Sequence, residues 1–342
     1  MAIRFPAPLQ PGDRIGVTSP SSGVGDRFQP RLQVAIRLLR DRGYEVEVGA
    51  CMDGTGHVSA PAGERAAELT RMLTDPEVRA VVPPWGGETA IDILPLLDWA
   101  AIAAAEPTWY VGYSDNSTIM LPLTILTGLA TLHGSNLIDT PLDPLPGLVS
   151  WADVATRPAG SSVEQRSPGV FRSEQFIDIV GQPEITSPAY DGHGSWTRLN
   201  GSGAVDVTGR LIGGCTETIS HLAGTRYGDV SEFAGRHARE GVIVYVEAAD
   251  SDAFTICRSL HGMRLAGFFE PAVAVIVGRT LAPDAATMTQ HEAVLDALGS
   301  LGIPLIADVE CGHVYPMMPI VNGAAARLEY GSGRAVLTQT LA

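Results

Sequence analysis

Three residue types far apart in the chain could together carry out acyl transfer. Ser114 lies in the stretch from Thr108 to Ile125, two residues after Gly112. The first half of that stretch is short, apolar and rich in aromatic and β-branched residues, as a buried strand is. Asp115, Asn116 and Ser117 can cap the apolar helix that follows, which carries Pro122 in its first turns. A strand, a sharp turn carrying Ser and a helix form the geometry of a nucleophile elbow. The turn lifts the Ser oxygen clear of the backbone, and the helix N-terminus with a nearby N–H can stabilise an oxyanion. Position 116 is Asn where the full G-x-S-x-G pattern has Gly, so the stretch also reads as an ordinary strand-to-helix turn capped by Ser or Asp.

Glu247 ends the apolar run Val-Ile-Val-Tyr-Val from Val242. A carboxylate there can be aimed into a cleft or sit solvated at its rim, and Asp250 and Asp252 are close enough to compete for the role. His313 follows Cys311-Gly312, just after the run Ile303 to Asp308. Its imidazole titrates near neutrality, which suits a general base, although a packed loop His reads the same way. Ser114, His313 and Glu247 have the types of a triad: a nucleophile, a group to take its proton, and a carboxylate to fix the tautomer of that group.

The elements that must position these side chains follow from periodicity. Residues 28–42 and 64–73 show helical spacing of apolar positions, and Thr89 to Leu97 opens another helix. Strands are expected at 44–48, 78–82, the elbow and 130–133. Strands alternating with helices imply an α/β fold with an N-terminal doubly wound, mostly parallel sheet, whose ligands bind beyond the carboxyl ends of the strands. Both the Gly86-Gly87 loop and Ser114 fall at such ends. From Pro141 to Ser195 the pattern weakens into loops, with a strand expected around Phe176–Val180. Beyond Gly203 it becomes regular: strand-like Gly209 to Ile212, a turn at Gly213-Gly214, helix 217–222, strand 241–247, helix 253–266, strand 272–277, helix 288–298 and strand 303–308. Two short strands around Gly331-Ser-Gly close the chain. We expect a nucleophile domain over residues 1–165, a connecting segment and active-site loop over 166–202, and a C-terminal domain over 203–342 supplying Glu and His.

Composition narrows the function. The 342 residues are 45% apolar and 18% charged, ample for two domains with sizeable cores. With 23 basic against 38 acidic residues the net charge is −15, which argues against nucleic acid or an anionic membrane as a partner. Cys51, Cys215, Cys257 and Cys311 show neither C-x-x-C nor zinc-finger spacing, so buried free thiols in a cytoplasmic protein without a metal are expected. The first residues have no apolar core of a signal peptide, and no run is clean enough to span a membrane. The first strand lacks the G-x-G-x-x-G turn of a dinucleotide site, which leaves a nucleotide-cofactor enzyme poorly supported. A non-catalytic binding protein on the same scaffold would need Ser114 and His313 held apart.

The chain resembles the LD-carboxypeptidase family of serine peptidases, and within it the microcin C immunity peptidases. The resemblance rests on an ordered set of short segments: Pro11-Gly-Asp-Arg-Ile-Gly-Val with Pro20-Ser-Ser, Gly86-Gly87, and Gly112-Tyr-Ser-Asp-Asn-Ser. It continues with Gly209-Arg-Leu-Ile-Gly-Gly, Leu222-Ala-Gly-Thr, Val246-Glu, and Gly312-His with Pro316. It implies a C-terminal α/β domain with a mixed sheet, a triad of Ser114, His313 and Glu247 at the domain interface, and no metal or organic cofactor. It also implies an oxyanion hole from the N–H groups of Gly87 and Asp115, with Gly86 helping the loop approach closely, and a homodimer. The sequence departs from the family at Trp85, which borders the cleft, and at Cys215, where Asn is expected. Typical members trim the terminal D-alanine of a murein tetrapeptide. The microcin C branch cuts the amide joining a peptidyl aspartate to an adenylate. In the second case Trp196 would stack on adenine and Arg198 would meet a phosphate or carboxylate. The expected function is therefore hydrolysis of a peptidyl- or aminoacyl-nucleotide amide, with the murein tetrapeptide as the alternative substrate.

Overall fold

The computed structural model describes residues 2–342. Strand β1 (Arg14–Val17) is followed by α1 (Gln29–Asp41), β2 (Glu45–Val48), α2 (Ala62–Thr74) and β3 (Val78–Val81). A 3₁₀ turn spans Ala90–Leu96, where Pro95 and an extended Leu97 limit the helix expected there. Then come α3 (Trp99–Ala104), β4 (Trp109–Gly112), α4 (Ser117–Thr127), β5 (Thr131–His133) and α5 (Trp151–Ala155). The second half contains β6 (Ser162–Arg166), β7 (Val170–Phe171), β8 (Gly192–His193), β9 (Thr197–Arg198), β10 (Val205–Cys215), α6 (Thr216–Ile219) and α7 (Val230–His237). It ends with β11 (Val242–Glu247), α8 (Ala253–Leu265), β12 (Ala272–Gly278), α9 (Gln290–Leu298), β13 (Leu305–Val309), β14 (Ile320–Asn322), β15 (Ala325–Gly331) and β16 (Arg334–Thr340).

Two large sheets organise the fold. The first has the order β14-β5-β4-β3-β1-β2 and is parallel except for β14. The second has the order β6-β16-β15-β10-β11-β12-β13-β9. Its centre, β10 to β13, is parallel, and antiparallel strands complete both sides, so the sheet is mixed. The sheets exchange material: β6, which precedes every other strand of the second sheet, edges that sheet, and β14, late in the chain, closes the first. No helix is long and apolar enough to cross a membrane among the described residues.

Helix α4 is apolar on every side, so it must be buried on every side. Ser117 through Ile125 are all buried, and the helix packs between β5 of one sheet and β10 of the other. Ser117 Oγ accepts the N–H of Cys215 at 3.0 Å. Asn322 on β14 adds a second tie: its Oδ1 accepts from Gly213 N and from Tyr245 OH, while its Nδ2 donates to Thr131. The loops of the middle segment are anchored by Arg31, a fully buried guanidinium that donates to the carbonyls of Ile138, Pro183 and Ile185.

Two local expectations are corrected. Gly213-Gly214 is not a turn but the interior of β10. The glycine is needed for close approach: a Cβ on Gly213 would lie 1.8 Å from Tyr245 O. The segment 176–180 forms no strand. Its backbone closes on itself through Asp178 Oδ1, which accepts Gly181 N, and Phe176 points into solvent with 80% of its surface exposed. We predict that Gly213→Ala, which forces backbone apart at the centre of the second sheet, destabilises the protein by at least about 2 kcal/mol in urea unfolding. An unchanged midpoint would contradict the packing described.

Candidate active site

The four residues of β4 are buried, and the strand ends at a turn whose next helix is α4. Ser114 sits in that turn with φ +63°, a left-handed conformation that a non-glycine residue adopts at a cost. The surroundings hold it there. Asp115, 2% exposed, accepts Ser21 Oγ at 2.6 Å and Ala90 N at 2.8 Å on one oxygen, and Thr118 Oγ1 at 2.9 Å on the other. Asn116 accepts Tyr110 OH and donates to Trp85 O and Asn136 Oδ1. These bonds tie the elbow to the loop Trp85-Gly86-Gly87. A Cβ on Gly86 would lie 2.7 Å from Asp115 N and 2.9 Å from Ser114 Oγ, so only glycine lets the loop come so near. Gly87 has φ +144°, and a Cβ there would strike Ser21 and Ser22.

Glu247 is the last residue of β11, and His313 lies in the loop between β13 and β14. His313 Nδ1 meets Glu247 Oε2 at 2.7 Å. Close packing makes this possible: Cβ atoms on Gly278 or Gly312 would fall 2.6–2.8 Å from Glu247 Cβ. Burial pushes the Glu247 carboxyl up, but the charge of His313 and the imidazoles of His133 and His313 outweigh it and hold the group at about 2. Burial likewise pulls His313 down, and the neighbouring Glu247 carboxylate raises it above its ordinary value. An open cleft of about 310 Å³ brings together Ser114, His313, Trp85, Gly86, Gly87, Glu88 and Tyr113. A larger cavity of about 510 Å³ lies between α8 and α9, with Glu247 in its wall; it holds neither Ser114 nor His313. The smaller cleft is the one that brings a serine hydroxyl and an imidazole together.

Family models match both halves of the chain: the LD-carboxypeptidase N-terminal domain over residues 15–134 and the LD-carboxypeptidase C-terminal domain over residues 208–328. The chain belongs to the LD-carboxypeptidase family. Membership makes it a hydrolase of the carboxypeptidase type. It is 27% identical to a putative carboxypeptidase of Vibrio cholerae over 330 residues, 94% of each chain. It is 25% identical to the microcin C7 self-immunity protein MccF of Escherichia coli over 341 residues, 97% of this chain and 95% of that one. The solved structure of MccF in complex with aspartyl sulfamoyl adenosine superposes with a TM-score of 0.82 at 24% identity, covering 98% of each chain, and so shares the fold.

Within this family frame, Trp196 and Arg198 stand outside the cleft. Trp196 is 4% exposed, packed in the core of the second sheet, and donates Nε1–H to Glu310 at 2.6 Å. Its ring faces are covered by protein. Arg198 is on edge strand β9, where its Nε donates to the carbonyl of Asn200 and its Nη1 to those of Ser202 and Gly203. Two aromatic groups do reach the cleft, Tyr113 and Trp85, the latter set edge-on to Phe28 and bonded through Nε1 to the carbonyls of Ser22 and Gly23. Periodicity gave no hint of the supporting polar groups Ser21, Asn136 and Tyr113. The available signal was Asn116 itself, a polar residue where the elbow pattern has Gly. Cys215 lies near Glu247 and His313, but burial and the charges of Glu247 and Glu217 push its thiol well up, which disfavours the thiolate a metal would need. Cys257, His261 and Asp296 also converge, and there His261 Nε2 already meets Asp296 at 2.7 Å.

The pair has a definite pH behaviour. His313, raised above 6.5, contributes stability that is fully present below 6.5 and is lost as pH rises through its folded value. Glu247, lowered from 4.5 to about 2, contributes stability present above 4.5 and lost as pH falls toward about 2. An NMR titration of His313 should therefore give a midpoint above 6.5, and Glu247→Gln should lower it, because the largest of the charges opposing burial is gone and only the weaker pull of Glu217 and Asp139 remains. Equal midpoints in the two proteins would contradict the pairing.

Proposed function

We propose that this protein is a serine peptidase or amidase that hydrolyses a peptidyl- or aminoacyl-nucleotide amide through an acyl-enzyme. The observation that carries the chemistry is Ser114, strained at the elbow, sharing one cleft with a His313 that is bonded to a buried Glu247. Ser114 Oγ attacks the substrate carbonyl while His313 Nε2 takes its proton. Glu247 holds Nδ1–H and stabilises the imidazolium. The oxyanion is met by the N–H groups of Gly87 and Asp115. The C–N bond breaks as His313 returns the proton to the leaving nitrogen. Water, deprotonated by the same imidazole, then cleaves the Ser114 ester and frees the acid.

The leaving group is assigned on the full-length likeness to MccF, whose structure is solved with an aspartyl sulfamoyl adenosine. Trp196 and Arg198 lend it no support, since neither lines the cleft: Trp196 is buried on Glu310, and Arg198 is turned to the carbonyls of its own loop. Trp85 and Gly86 are the substrate-facing wall of this reading. Murein tetrapeptide is the second substrate, favoured by the likeness to the murein tetrapeptide carboxypeptidase of Pseudomonas aeruginosa. The family resemblance further suggests a homodimer acting on a small molecule in the cytoplasm.

Turnover of aspartyl sulfamoyl adenosine and of a murein tetrapeptide should be compared side by side. We expect cleavage of the adenylate and a loss of about 10⁴-fold or more in Ser114→Ala. Cleavage of the tetrapeptide alone would transfer the function to cell-wall peptides. Full activity in Ser114→Ala would refute the mechanism.

A further inference from the structure

One buried pair is left over when the cleft is accounted for. His133, the last residue of β5, is fully buried, and neither ring nitrogen has a hydrogen-bond partner. Glu247 Oε1, the carboxylate oxygen not used by His313, is also buried and without a partner. The two face each other: His133 Nε2 lies 3.8 Å from Glu247 Oε1. That is too long for a hydrogen bond and too short for a bridging water, whose two bonds at a tetrahedral angle would need ~4.5 Å. An unpaired buried imidazole and an unpaired buried carboxylate oxygen are each costly, and one small approach satisfies both. The ring is oriented for it by Tyr245 and Tyr113, packed edge-on at 5.1 and 6.3 Å between centroids.

We propose that His133 is a positioning residue for Glu247, donating Nε2–H to Oε1 so that the carboxylate takes one imidazole on each oxygen. The inference rests on the triad reading above and deepens it. β5 belongs to the first sheet and β11 to the second, so the bond spans the two halves of the fold at the reacting centre. It also sets the His133 tautomer, with the proton on Nε2.

The titratable neighbours do not confuse the readout. The hydroxyls of Tyr113 and Tyr245 and the thiols of Cys215 and Cys311 are all pushed well up by burial. Asp139, bonded to Tyr113 OH, is pushed up to about 6 by burial, and its charge, like that of Glu217, raises His313, so each profile is repeated in an Asp139→Asn background.

The test is the pH dependence of Ser114 labelling by a fluorophosphonate in the full-length protein. His133→Gln keeps a donor at the Nε2 position, and His133→Asn does not. We expect His133→Asn to slow labelling roughly ten- to a hundredfold and to move the acid limb to higher pH, because the undivided charge of Glu247 then falls on His313. His133→Gln should restore both rate and limb. Wild-type rate and limb in His133→Asn would overturn the proposal. So would equal slowing in both variants with an unmoved limb, which marks His133 as packing alone. If wild-type Ser114 does not react, the triad reading fails by itself and the imidazole N–H spectrum decides. A slowly exchanging His133 Nε2–H supports the bond, and an Nδ1–H tautomer overturns it.

Discussion

A carboxylate out of reach of water has to be answered from inside the protein, and Glu247, 1% exposed, is that carboxylate. Alone in an apolar site it would take up a proton. It stays charged because His313 sits 2.7 Å from one oxygen and a second imidazole faces the other. Much of the architecture serves this arrangement. The buried strand β11 delivers Glu247, the two glycines at 278 and 312 make room for it, and the loop after β13 brings His313 back over the end of the sheet. The pairing keeps the His313 Nδ1 side occupied and leaves the imidazole poised in the cleft with Ser114.

Ser114 is held by a different device. Its backbone is strained, and strain persists only where neighbours over-determine it. Asp115 and Asn116 do this with buried hydrogen bonds to Ser21, Ala90, Thr118, Tyr110, Trp85 and Asn136. The same bonds draw the Gly86-Gly87 loop against the elbow. Helix α4, apolar all round, then locks the elbow between two sheets, so the half that supplies Ser114 cannot shift relative to the half that supplies His313 without breaking a buried interface.

Much of this was legible in the sequence where the signal is local. The alternation of strands and helices, the apolar run ending at Glu247 and the strand–Ser–helix stretch all follow from side-chain period and turn chemistry. What was not legible depends on contacts distant in the chain. Gly213-Gly214 looks like a turn until Tyr245 is known to lie against it. Trp196 looks like a loop aromatic available to a ligand until Glu310 takes its N–H. The exchange of β6 and β14 between the sheets has no sequence signature, because short edge strands carry too few residues to show a partner. His133 ended a strand that periodicity found, yet nothing in its neighbourhood pointed to Glu247, 114 positions away in the sequence.

The central claim is covalent: Ser114 carries the acyl group between the two halves of the reaction. Mass spectrometry of the protein quenched in acid during turnover of aspartyl sulfamoyl adenosine or of a murein tetrapeptide tests it directly. An ester on the peptide containing Ser114, formed and lost at the rate of turnover, is the predicted result. Turnover with no adduct, or with an adduct on another side chain, would contradict the account.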